Sequence, residues 1–312
     1  MRLVTQIIST KRSAHHAFIA WLCGNTDRPI AFFNNVIPST PPKLRELAFF
    51  NADRAEDEKA RLHTLLAGDC DALLNFEGKL PTSIENWNKD YLLPRLEGRL
   101  QRIVFLRDPI NTLASLAKRS RPQRFRGRFN FFYQALCIEE MLTHLQTDQA
   151  KLCDRVVVFS AWRMDGEYRA KLARELGLKS SGLPLHVTPF GGGSSFAGMD
   201  FDPATQTAEL FERWRAVEDN PIFLAPFADD EAQKAMRYYF QLSGAGEIVK
   251  TDVLDRLISR AKKNAQAQAY VREFLRPMRR AKALIVGMEH ARASLAREAW
   301  KGAIKAHMAL RL

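Results

Sequence analysis

The sequence predicts an α/β protein, a parallel sheet with helices on both faces, followed by a helical C-terminal extension. Three observations carry this. Leu3–Ile8, Asp71–Phe76, Arg102–Leu106 and Arg155–Phe159 are short apolar runs, as expected of strands buried on both faces. Helical patterns lie between them, and that alternation specifies right-handed βαβ units. From about Pro221 onward the pattern turns helical and Ala-rich, with breaks at Pro221, Pro226 and Pro277. The chain thus divides into an α/β domain over 1–220 and a basic helical extension over 221–312, packed on the core.

Composition narrows the class. The 312 residues are 46% hydrophobic and 26% charged, which suits a soluble globular protein and excludes general disorder. Leu3–Ile8 is too short and polar for a secretory core, and no apolar stretch reaches membrane-spanning length, so a cytoplasmic protein is expected. Cys23, Cys70, Cys137 and Cys153 are scattered without metal-ligand or redox spacing and read as buried thiols. No metal-ligand cluster is visible, and none is expected. The formal charge of +12 is uneven. Lys250–Leu312 holds about fifteen Lys or Arg against about five acids, so the rest is nearly neutral. Such charge attracts anions without choosing among nucleic acid, lipid headgroups, acidic glycans and a polyphosphorylated nucleotide.

In a parallel sheet, ligands bind beyond the carboxyl ends of the strands. The residues to inspect are therefore Ser9–His16, Glu77–Lys79, Arg107–Ser115 and Ser160–Arg163. After the first strand, Ser9-Thr10-Lys11-Arg12-Ser13-Ala14-His15-His16 forms a tight polar turn into a helix that buries Ala17, Phe18, Trp21 and Leu22 and can end at Gly24. The helix is expected to begin near Ser13. Its exposed N–H groups and dipole, beside Lys11, Arg12 and two imidazoles, favour an anion. Gly-x-x-x-x-Gly-Lys-Ser/Thr is missing, which disfavours an ordinary ATPase or GTPase.

The third run leads into Arg107-Asp108-Pro109. Asp108 can cap a helix whose first residue is Pro109. Ser115 then lies about two turns along, on the face of Asn111 and Thr112, where it and Arg107 can converge on one anion.

These two segments resemble the nucleotide-binding motifs of sulfotransferases that use PAPS (3′-phosphoadenosine 5′-phosphosulfate). Arg12-Ser13-Ala14-His15-His16 is similar to the family's 5′-phosphosulfate loop, closest to bacterial sulfotransferase-like proteins with Arg-Ser-Gly-His-His-Ala. Arg12 stands where many members have Lys, and Ala14 where many have Gly. Ala14 is compatible if the turn stays in the right-handed region. Arg107 and Ser115 resemble the 3′-phosphate motif. The resemblance implies a P-loop-like fold, PAPS as donor and adenosine 3′,5′-bisphosphate as product. It assigns Lys11, Arg12, Ser13, Ala14, His15, His16, Arg107 and Ser115 to the nucleotide. Gly191-Gly192-Gly193-Ser194-Ser195-Phe196 is similar to the family's late glycine loop, so Gly192, Gly193, Ser194 and Ser195 join the nucleotide site, with Arg213 replacing that loop's usual Lys.

Arg12 would stabilise the transferring sulfuryl group, with Lys11 and the helix N-terminus. An acceptor hydroxyl or amine also needs a base. His16 and Glu77 are the catalytic candidates, with His15 a further imidazole. The acceptor is expected to be a small molecule or carbohydrate. Lys118–Arg128, with Phe125 and Phe129 interleaved, can border the nucleotide, meet an anionic acceptor or form a solvated face. Nucleic acid is disfavoured as a partner. The basic C-terminal segment can meet an anionic membrane surface, support an oligomer or pack on the core. Two alternatives stand beside the sulfotransferase reading: a non-catalytic basic protein that binds nucleic acid or membrane, and a group-transfer enzyme using ATP.

Overall fold

The computed structural model describes residues 3–38, 47–50, 70–96, 98–119, 124–182, 210–244 and 247–288. All four apolar runs are strands: β1 (Leu3–Ser9), β4 (Asp71–Glu77), β5 (Arg99–Leu106) and β6 (Arg155–Val158). Two further strands lie between the first pair, β2 (Ile30–Phe33) and β3 (Leu47–Phe50). Each has only four residues, too few for an alternating pattern to stand out. β5 begins three residues ahead of its apolar stretch. Arg99 and Gln101 break up the apolar pattern at its start, so the run legible in the sequence begins only at Arg102. In the fold the Arg102 guanidinium is anchored on Asp154 at 2.7 Å, just before β6.

The sheet order is β3-β2-β4-β1-β5-β6. Five strands run parallel, and only the β2–β3 edge pairing is antiparallel. β1 is central. From β1 the chain crosses past the position of β4 to β2, returns through β4, and then passes to the other side of β1 as β5. The connections therefore diverge at the carboxyl end of β1, where a crevice opens in sheets of this kind.

Helices α1 (His15–Gly24), α2 (Pro81–Trp87), α3 (Pro109–Arg119), α4 (Phe125–Leu152), α5 (Phe159–Met164) and α6 (Gly166–Glu175) surround the sheet. α1 is fixed by aromatic packing. Phe18 stacks on Phe105 of β5 at 4.7 Å between ring centroids, and Trp21 meets Trp162 of α5 edge-on at 6.0 Å. Such contacts add about 0.5–1.5 kcal/mol per pair beyond area burial, so the turn before α1 rests on a rigid floor.

A 3₁₀ turn, Arg213–Val217, precedes α7 (Pro221–Leu224), α8 (Asp230–Ser243), α9 (Thr251–Lys263), α10 (Ala265–Tyr270) and α11 (Arg276–Arg280). Leu254, Leu257, Ile258, Phe274, Leu275 and Met278 of this part are buried and belong to the same apolar cluster as the sheet. Arg279 bridges Glu139 of α4 and Asp229, while Lys282 meets Glu140 at 2.7 Å. Among the described residues no helix is long and apolar enough to cross a membrane.

Candidate functional site

The turn after β1 lies at the point where the strand connections diverge. It differs from expectation in two respects. α1 begins at His15, two residues later than the sequence suggested, and Ala14 is its N-cap. Ala14 is also left-handed, with φ 68° and ψ 19°, and Arg12 has φ 67°. The condition on which Ala14 was compatible with the turn is therefore not met. The chain must reverse from β1 into α1 within a few residues, and two left-handed steps accomplish it. Each costs an L-residue about 1–2 kcal/mol. Ser13 and His15 are buried here, and Lys11, Arg12, Ala14 and His16 are half-buried.

His15 is enclosed. Its Nδ1 lies 3.3 Å from the Ser13 hydroxyl, and its Nε2 faces Glu77 Oε1 at 3.9 Å without a hydrogen-bond partner. Burial, then the charges of a neighbouring imidazole and Arg12, push its pKa well below the usual histidine value, so the ring is neutral at pH 7. The arrangement assigns the proton to Nε2, with Nδ1 accepting from Ser13. His16 is 4.1 Å away, ring centroid to centroid, and its Nε2 lies 3.2 Å from Asn34 Oδ1 at the end of β2. Asn75 of β4 donates to the same Asn34 oxygen at 2.9 Å.

Glu77 ends β4, half-buried, next to Gly78. The Gly78 amide donates to the Ser9 carbonyl at 2.7 Å, locking β4 to the turn. Gly78 has φ +61°, and a Cβ there would sit 2.1 Å from Gln134 Oε1, so a side chain here would strain the backbone and displace the Gln134 amide. Arg12 is partly withdrawn from solvent. Burial, then the charge of Arg119, lowers its pKa, but a guanidinium remains a cation at any physiological pH.

Arg107 directly follows β5 and is almost fully buried. It donates through Nη1 to the Arg12 carbonyl at 3.4 Å and through Nη2 to the Leu210 carbonyl. Its plane lies over the Phe159 ring at 5.1 Å. Asp108 caps α3 as expected, accepting from the Asn111 amide at 2.7 Å. Burial raises the Asp108 pKa to about 6, against the opposing pull of Arg107. Behind them Glu247, also buried, accepts from Ser160 at 2.9 Å and Tyr239 at 2.6 Å.

Arg107 and Ser115 were expected to converge on one anion. The structure gives them different neighbours. Arg107 donates through Nη1 and Nη2 to main-chain carbonyls, with its Nε left without a hydrogen-bond partner, whereas Ser115 Oγ accepts from Arg213 Nη1 at 3.3 Å. Asn111, one turn earlier on the same face, donates to the Phe211 carbonyl at 2.9 Å and accepts from the Trp214 amide at 3.2 Å. The Ser115–Arg213 pair is thus held by α3 and the 3₁₀ turn together. The glycine loop, with Gly192, Gly193, Ser194 and Ser195, lies outside the described residues.

Sequence reading missed Asn34, Asn75 and Gln134. A signal existed for Asn75, a polar residue inside the apolar Leu73-Leu74-Asn75-Phe76. Asn34 would have followed had Ile30–Phe33 been recognised as a strand. Gln134 lies mid-helix and reaches the site only through the tertiary fold.

The site can hold an anion at two neighbouring strand ends. The β1 turn offers Lys11, Arg12 and the first amides of α1; α3 and the 3₁₀ turn offer Ser115 and Arg213. Glu77 supplies a carboxylate between β1 and β4. Among the described residues no group of side chains could hold a metal ion. Comparison with protein-family models, curated proteins and solved structures finds no match for this chain.

Proposed function

We propose that the chain is a sulfotransferase of P-loop-like fold that moves a sulfuryl group from PAPS to an acceptor hydroxyl or amine. The observation that carries the reading is the pair of cationic stations at adjacent strand ends, the Lys11–Arg12 turn after β1 and Ser115–Arg213 beside β5, joined through the bond of Arg107 to the Arg12 carbonyl. A donor with an anionic group at each end needs two such stations.

In this reading Arg12, Lys11 and the α1 amides stabilise charge on the transferring group and the oxygen it leaves. Ser115 and Arg213 bind the 3′-phosphate, while Arg107 is a scaffold that fixes the spacing of the two stations. The acceptor oxygen or nitrogen attacks sulfur in line, the bond from sulfur to the phosphate oxygen breaks, and adenosine 3′,5′-bisphosphate departs. Glu77 or His16 takes the acceptor's proton. His15, neutral and enclosed, is a positioning residue. The resemblance also assigns the glycine loop, Gly192–Ser195, to the nucleotide.

The test is thermal stabilisation by adenosine 3′,5′-bisphosphate beside AMP and ADP. At about 100 times its Kd the bisphosphate should add about 2.7 kcal/mol of stability. Ser115→Ala and Arg213→Gln should weaken the bisphosphate far more than AMP, because only the former carries the 3′ group. Arg107→Ala is a poor probe, since it also strips two buried carbonyls of their donor. Folded protein that responds to none of the nucleotides, or to ADP alone, would overturn the reading.

A further inference from the structure

The first turns of α4 carry a surface that the nucleotide site does not use. Phe125 and Phe129, one helical turn apart, are 66% and 41% exposed. Their ring centroids lie 6.4 Å apart, and Phe125 rests 5.7 Å from Phe274. Phe274 is itself buried and stacks on Phe132 at 5.2 Å. The exposed rings are therefore an extension of the core held in place from below, and two large apolar side chains are kept in water where a polar residue would serve a solvated helix better.

Cations frame them. Lys118 and Arg119 close α3, and Arg124 and Arg126 open α4, all exposed. Arg128 lies over Phe274 at 5.7 Å. No Asp or Glu occurs from Pro109 to Ile138. Across the patch Arg272 and Arg276 flank Phe274 in sequence, with Glu273 between them and Arg276 itself 3.8 Å from Asp229. The surface borders the β1 turn, because Arg119 is near enough to Arg12 to disfavour its charge.

We propose that this face docks on an anionic lipid surface, with Phe125 and Phe129 entering the headgroup–acyl boundary while the surrounding cations meet lipid phosphates. Charge and shape both favour this partner. Aromatic rings set among Lys and Arg suit an interface that is apolar below and anionic above. A nucleobase sandwiched between two rings needs a free slot of two layers, each about 3.5 Å deep. Rings 6.4 Å apart and tilted by 32° leave none between them. The proposal puts the contact at the junction of α3 and α4; in the C-terminal segment Leu254, Leu257, Ile258 and Leu275 are buried, whereas Leu284 and Met288 are exposed. This inference is independent of the sulfotransferase reading.

The experiment is co-sedimentation of the full chain with vesicles of phosphatidylcholine alone, and of phosphatidylcholine and phosphatidylserine in equal parts. Binding should appear only with the anionic mixture. Phe125→Ser/Phe129→Ser and, separately, Arg124→Glu/Arg126→Glu should each lower partitioning by about tenfold or more. Both double variants alter exposed positions, and an unchanged thermal midpoint would show that the fold persists. Failure of the wild-type chain to bind, or equal binding by both variants, would overturn the proposal. So would binding to a single-stranded oligonucleotide that is lost in the Phe variant while vesicle binding is kept.

Discussion

At the scale of single residues, the turn between β1 and α1 is strained. Arg12 and Ala14 both adopt left-handed backbone. Ala14→Gly relieves a penalty of about 1–2 kcal/mol and returns part of it as added freedom of the unfolded chain. The expected outcome is a net gain of about 0.5–1 kcal/mol in urea denaturation, and a loss of stability would remove strain from the account. Burial sets a second expectation, in pH. His15 has its folded pKa depressed, so its contribution is present above the ordinary 6.5 and is lost as pH falls below it. Asp108 acts oppositely. Raised from 3.8 to about 6, it holds its proton longer in the folded state, and its contribution fades as pH rises through that interval. Urea midpoints at pH 7 and pH 5 should therefore show a shallower acid loss for His15→Gln than for wild type, and a steeper one for Asp108→Asn. The chemistry of the turn was legible in the sequence because its residues are contiguous. Its backbone was not: the same Ala permits either hand, and the sharpness of the reversal decides.

At the scale of elements, α4 and the C-terminal helices are joined by a nearly buried ion cluster. Glu139 and Asp229 have little solvent contact, and Arg279 donates to both. Burial pushes the Glu139 carboxyl up, opposed by that guanidinium. Removing the guanidinium alone strips buried Glu139 of its two bonds to Arg279 and leaves Asp229 to Arg276 at 3.8 Å, so Arg279→Ala should cost about 3–5 kcal/mol. The triple replacement Arg279→Met/Glu139→Gln/Asp229→Asn should cost less than the single one in chemical denaturation, and the reverse order would show that packing rather than charge holds the joint. The sequence indicated a basic helical segment with three possible uses, but it could not show which bases face acids some fifty and one hundred and forty positions away along the chain. β2 and β3 were lost for a related reason. Four-residue strands carry too few positions for a period, and their identity comes from pairing with β4 and with each other.

At the scale of the whole molecule, strand order turns separate local signals into one site. Ser9, Glu77 and Arg107 are remote in sequence, yet they lie at the carboxyl ends of three neighbouring strands, Arg107 just beyond β5, with β1 in the middle. The parallel strands and the carboxyl-end rule were readable before any coordinates, which is why Arg12, Glu77, Arg107 and Ser115 were all inspected. The particular pairing was not. Ser115 meets Arg213, and Arg107 braces two loops, because the 3₁₀ turn after residue 210 closes over α3. Charge has the same two-level character. The excess of positive residues is a property of the sequence, but Arg276, Arg279 and Lys282 spend theirs on Asp229, Glu139 and Glu140. The exposed cations Lys118, Arg119, Arg124 and Arg126 add to the outward field.

The four cysteines, unremarked by any of the proposed chemistry, are all buried thiols distributed through the fold. Cys23 lies in α1, Cys70 precedes β4, Cys137 sits in α4 and Cys153 precedes β6. Burial pushes the Cys23 thiol up to about 12 and Cys153 to about 11, so neither reacts while enclosed. Alkylation of each therefore waits for its surroundings to open, and peptide mapping after a timed pulse of reagent ranks those openings. The chain carries its own clock for each layer, with no label to be introduced.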